Sequence, residues 1–109
     1  SSDLEAFYHA FVLGVLVALE PQYQVRSNRE DGMGRSDVRV LPREAGKPGF
    51  VIEFKAEEGR LIETMAQEAL DQIEKYQYIL ELQEAGASPI FCYGISFLGK
   101  KVCVRKKKA

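Results

Sequence analysis

The sequence has one histidine and two cysteines in 109 residues. Cys92 and Cys103 form no CxxC pair, and with a single His they cannot build a zinc site at any usual spacing. The shortage of histidine also removes the commonest general base, so hydrolysis here has to draw on other groups. Two thiols without a disulfide pattern suit a reducing compartment, and a cytoplasmic location is expected. Long apolar runs are missing too. The longest, Ala10 to Leu19, falls well short of the roughly 20 residues a spanning helix needs. It carries neither a basic n-region nor a small-residue cleavage site, so neither a signal peptide nor a membrane partner is expected.

Apolar residues make up 46% of the chain, enough for one core and hence for a single domain over 1–109, either whole or a fragment of a longer protein. The net charge is −1, but it is unevenly spread. The basic C-terminal end, 100–109, holds Lys100, Lys101, Arg105, Lys106, Lys107 and Lys108 with no acid, which leaves the remainder net acidic. Such an end is read either as a phosphate-binding arm or as a solubilising terminus.

Asp3 predicts the N-cap of a helix running to about Leu19, whose C-terminal half is apolar nearly all round and so should be buried on most sides. Pro21 ends it. Strands are expected over Tyr23 to Asn28, Arg35 to Pro42 and Phe50 to Lys55, separated by turns at "REDGMG" and "REAGKPG". In the first turn Gly32 and Gly34 serve the chain reversal. Ile62, Met65, Ala66, Ala69, Ile73, Tyr76 and Leu80 recur at helical spacing and predict one long helix from Leu61 to about Glu84, closed by Gly86. A fourth strand, "PIFCYGISF", and a fifth, "KVCVR", follow around a tight "LGK" turn. The order αβββαββ is that of an α+β domain with helices packed on a mixed sheet. The long helical crossing into the fourth strand implies a parallel pairing within it.

Side chains alternate across a strand, so the second and third strands divide into faces. Ser36, Val38 and Val40 share one face of the second, and Arg35, Asp37 and Arg39 the other. In the third, Phe50, Ile52 and Phe54 oppose Val51, Glu53 and Lys55. A hairpin that superimposes the apolar faces brings Asp37, Glu53 and Lys55 out together. Adjacent carboxylates repel unless a cation sits between them, and hard oxygen donors suit Mg²⁺ or Mn²⁺. Such a metal activates water and polarises a phosphate while Lys55 steadies developing charge, which is what phosphodiester hydrolysis requires. Each acid alone reads equally well as a solvated residue on an open sheet face; the three together favour a site. Arg26, Arg29, Arg35 and Arg39 either balance nearby acids or contact phosphates beside the site. Lys100 and Lys101 would extend that contact.

Asp37, then Glu53-Phe54-Lys55 after a spacer, within this element order, resembles the PD-(D/E)XK nuclease superfamily and its restriction-endonuclease-like core. Ser36 stands where the superfamily's name has Pro. The segments "FYHAFVLGVL", "VRSNREDGMGRSDVRV", "VIEFK" and "EALDQIEKYQY" more narrowly resemble the nuclease-like domain at the C-terminus of bacterial AAA-ATPase-like proteins. The resemblance implies a Mg²⁺-dependent deoxyribonuclease, with Mn²⁺ as substitute, and leaves RNA open as a partner. A junction-type, structure-selective endonuclease working as a homodimer is among the forms it suggests. The alternative it leaves open is a non-cleaving module that binds nucleic acid or a partner beside an ATPase domain. Asp37 and Glu53 would be metal ligands, the Phe54 carbonyl a third, and Lys55 the catalytic lysine. Glu5 on the first helix would add an acid to the metal. Gln72 and Tyr76 would form a Q-x-x-x-Y pair on one helix face, with Tyr78 the competing tyrosine. Glu5 also reads as a first-turn acid, Gln72 as a surface amide, Tyr76 as core, and His9 as a partly buried helix residue.

Overall fold

The computed structural model describes residues 2–18, 21–30, 35–75 and 77–109, excepting the side chains of 2–5, 17 and 30. The elements are α1 (Ser2–Val17), β1 (Tyr23–Glu30), β2 (Arg35–Pro42), β3 (Gly49–Lys55), α2 (Ile62–Lys75), α3 (Tyr78–Glu84), β4 (Ile90–Leu98) and β5 (Lys101–Lys108). One sheet runs in the order β1-β2-β3-β4-β5. Neighbours are antiparallel except β3 and β4, which pair in parallel across the helical crossing. This is the mixed, helix-flanked α+β sheet expected from the element order. The turn glycines Gly32 and Gly34 lie outside the described residues.

Each sheet face has its own core. Val38, Val40, Phe54, Ala56 and Phe97 pack beneath α1, joined by Tyr8, Val12, Leu13 and Leu16. On the other face Val51, Ile90 and Cys92 of the sheet pack with Leu70 and Ile73 of α2 and Leu82 of α3. Gly94 lets α2 lie unusually close: a Cβ there would stand 2.5 Å from the Leu70 backbone nitrogen and closer still to the Ala66 carbonyl. Ala66 and Ala69 of α2 are both fully buried. Ser96 ties down the start of α2 by donating to the Ile62 carbonyl at 2.5 Å.

Four sequence expectations change. The long helix is two helices, because Gln77 adopts a left-handed conformation (φ 59°) and turns the chain before α3. Tyr76, at that break, lies outside the described residues. The all-round apolar character of α1 does not bury it on most sides: Phe7, Phe11 and Val15, one helical turn apart, are 63%, 53% and 60% exposed. A helix on one sheet face has only that sheet to pack against. The fifth strand runs past "KVCVR": 101–108 form β5 along one edge of the sheet, so most of the basic C-terminal end is strand. Finally, the face carrying Asp37, Glu53 and Lys55 is not open, because α2 and α3 cover it.

Candidate active site

The β2–β3 register sets Asp37 directly opposite Glu53 and Arg35 opposite Lys55. Such cross-strand partners hold their Cβ atoms about 4.5–5.5 Å apart, so the carboxyls are neighbours by construction. Asp37 is 2% exposed, Glu53 0% and Lys55 7%. Charged residues this buried need partners.

Each acid has one oxygen held. Tyr78 Oη donates to Asp37 Oδ2 at 2.8 Å. Arg35 donates to Glu53 Oε2 from Nε at 3.1 Å and Nη2 at 2.9 Å. The other two oxygens, Asp37 Oδ1 and Glu53 Oε1, are buried without a hydrogen bond. Arg39 Nε stands 3.0 Å from Asp37 Oδ1 as an ion pair. Asn28, Arg35, Ser36, Asp37, Glu53 and Tyr78 line a cleft of about 10 Å³ at this point, room for about one water- or ion-sized occupant. A larger surface cleft of about 370 Å³, lined by Tyr23, Arg43 and Lys47 among others, sits beyond the far end of β2 and includes none of these acids.

Burial dominates the electrostatics. Desolvation pushes the Glu53 carboxyl up to about 7 against the pull of Arg35, and the Asp37 charge adds to the rise. Burial also raises Asp37, opposed by the Tyr78 hydrogen bond and by Arg39. Tyr78 is itself raised, by burial and then by its bond to Asp37, so it stays a donor. The Lys55 ammonium leans toward α2, 3.1 Å from Glu68 and 3.8 Å from Glu57. Glu68 is held low, first by Arg60 and then by Lys55, and so remains an anion.

A divalent cation fits this donor set. It would meet Glu53 Oε1, which has no hydrogen bond, and Asp37 Oδ1, where it would compete with Arg39, in a cleft of one-ion size, and it would offset the desolvated charge of both acids. Among the described residues no three His, Cys, Asp or Glu side chains converge to hold a metal. Two carboxylates supply part of the oxygen shell of a hard divalent cation, and water or substrate oxygens would complete it.

The other expected site residues fall as follows. The side chain of Glu5 lies outside the described residues, as does Tyr76. Phe54 turns its ring into the core beneath α1, so only its backbone faces the question of ligation. Gln72 is half-buried one turn beyond Glu68, its Oε1 without a hydrogen bond, and lines a separate cleft with Glu68, Asp71 and Lys75. Tyr78, the competing tyrosine, reaches Asp37. His9 packs edge-on against Phe54, 6.1 Å between ring centres, on the face away from the acids. The arginines divide. Arg35 is buried against Glu53; Arg39 reaches Glu81 at 2.9 Å and lies over the Tyr78 ring; Arg26 reaches Glu81 at 2.7 Å. Arg29 is half-buried in β1, while Lys100 and Lys101 are exposed at the β4–β5 turn. Sequence reasoning missed Glu68 and Glu81. Glu81 was within reach of it, because a residue three after Tyr78 shares its helix face.

No helix among the described residues is long and apolar enough to cross a membrane. No curated protein matches the chain. Residues 3–107 match the family model of the PD-(D/E)XK nuclease superfamily. With nearly the whole chain matched, and a mixed sheet flanked by helices carrying the paired acids, the chain belongs to the PD-(D/E)XK nuclease superfamily.

Proposed function

We propose that the chain is a Mg²⁺-dependent nuclease, Mn²⁺ substituting, that hydrolyses DNA phosphodiester bonds. The carrying observation is the pair of buried, directly opposed carboxyls, each with one oxygen tethered and one left without a hydrogen bond. Asp37 and Glu53 would hold the cation, which would supply Lewis-acid polarisation of the phosphate and activation of water. Tyr78 and Arg35 orient the two ligands, so little reorganisation is needed when substrate arrives. Lys55 swings from Glu68 to the reacting phosphate, where its ammonium steadies negative charge. Glu53, titrating near neutrality, must shed its proton before it can bind the cation. Junction-type DNA is the proposed preferred form of substrate.

A second reading has one observation in its favour. Arg35 and Arg39 already stand at the two acids, as they would in a site that has become a charge-balanced core. The chain would then be a non-cleaving module for nucleic acid or a partner, attached to an ATPase domain. Labelled junction, flap, duplex and single-strand DNA, incubated with Mg²⁺, with Mn²⁺ or with chelator, separates the two. Metal-dependent cleavage is expected. Binding without cleavage in every arm would leave the second reading in place.

A further inference from the structure

α1 lies over β1, β2 and β3 and reaches β4 at Phe97, where Tyr8 stacks on its ring; β5 is left uncovered on that face, with Val102 and Val104 about half exposed. At its other end β4 contributes Phe91 and Tyr93, and the register places Lys108 directly beside Phe91 and Lys106 directly beside Tyr93. These residues and Lys107 line a shallow cleft of about 310 Å³ with no acid in its wall. Lys107 turns to Glu74 at 2.6 Å. Lys106 and Lys108 are exposed and take part in no ion pair among the described residues. The Phe91 ring is braced from behind by Phe50, stacked at 5.6 Å.

We infer that this cleft is a binding platform for single-stranded nucleic acid, with Phe91 and Tyr93 stacking on bases and Lys106 and Lys108 taking phosphates. Residues two apart on a strand stand about 7 Å from one another, so each ring meets its own base. Aromatic faces accept any base, and the adjacent ammonium groups follow the backbone, which is how proteins hold single strands without reading sequence. Free cations with no acid among them favour a polyanion over a protein surface. Buried base pairs of a duplex offer these rings no flat face. The platform lies on the opposite side of the sheet from Asp37 and Glu53, so it grips a flanking segment and not the bond to be cut. The inference deepens the nuclease reading by naming a single-stranded portion of the substrate, and it rests on that reading only in calling the bound strand substrate.

The test is fluorescence anisotropy in chelator, where no cleavage intervenes, with a labelled oligothymidylate of about 8 nucleotides, an abasic oligomer of equal length and a matching duplex. The oligothymidylate should bind tightest. Tyr93→Ala should weaken it roughly 5- to 100-fold while Tyr93→Phe, which keeps the ring, leaves affinity unchanged. Lys106→Gln with Lys108→Gln should flatten the log-affinity against log-salt slope by about 1.4, and this surface pair does not threaten the fold. Equal affinity in Tyr93→Ala and wild type, an unchanged salt slope, or a preference for duplex each overturns the platform. In Mg²⁺, a flap substrate should show a raised KM and unchanged kcat for Tyr93→Ala. A protein that binds through these residues but never cuts would refute the nuclease reading alone; one that cuts with KM untouched by Tyr93→Ala would refute the platform alone.

Discussion

Replacing Glu53 by Gln removes a charge that burial makes unfavourable, and the size of the effect follows from its titration. The unfolded carboxyl titrates near 4.5 and the folded one near 7. Between those values the folded state holds a proton that the unfolded state has lost, so stability falls as pH rises through this window and levels off above it. Each pH unit separating the two is worth about 1.36 kcal/mol, so ionised Glu53 costs about 3 kcal/mol at pH 8 without metal. The Gln amide imitates the protonated form, still offers Arg35 an oxygen, and escapes that penalty. Glu53→Gln should therefore melt higher than wild type in chelator at pH 8, by on the order of 10–20 °C for a domain of this size. Near pH 5 the two should converge. Adding Mn²⁺ at pH 8 should reverse the order by stabilising only wild type, since only the carboxylate binds the ion strongly. Thermal melts by circular dichroism across pH 5 to 8, with chelator and with Mn²⁺, read both effects. Parallel curves for the two proteins in chelator would refute the claim that Glu53 is buried at the expense of its charge.

Asp37→Asn keeps the acceptor for Tyr78 but loses the ligand charge; calorimetric Mn²⁺ binding should become undetectable and cleavage should stop, and wild-type binding would remove Asp37 from the metal site. Lys55→Ala takes nothing from the cation, so Mn²⁺ affinity should hold while turnover under single-turnover conditions falls by about 100-fold or more. Activity retained in that variant would shift the catalytic charge to Arg35 or Arg39. Gly94→Ala drives a methyl into the α2 backbone, and urea denaturation should show a loss of about 3 kcal/mol.

How the acids come together was legible because it depends on local rules. Alternation along 35–42 and 50–55, with the demand that apolar faces coincide, places Asp37 opposite Glu53 without knowledge of any helix. The β-α-β crossing likewise implies the parallel β3–β4 pair. Sequence periodicity could not show that the helix breaks at Gln77, because the apolar spacing continues straight through it. That break lets α3 turn back over β2, which brings Tyr78 to Asp37 and Glu81 to Arg39. Nor could spacing tell a solvated acid from a desolvated one.

The sequence by itself determined the strand faces, the opposed carboxyls and the lysine two residues on, since these follow from backbone geometry over a few residues. Tertiary structure alone decided that α2 and α3 bury those acids, that Arg35 and Tyr78 each tether one oxygen, and that β5 stands at an open edge with its lysines beside Phe91 and Tyr93. Burial, and the pKa it raises, comes from atoms far apart in the chain, and no local pattern carries that information.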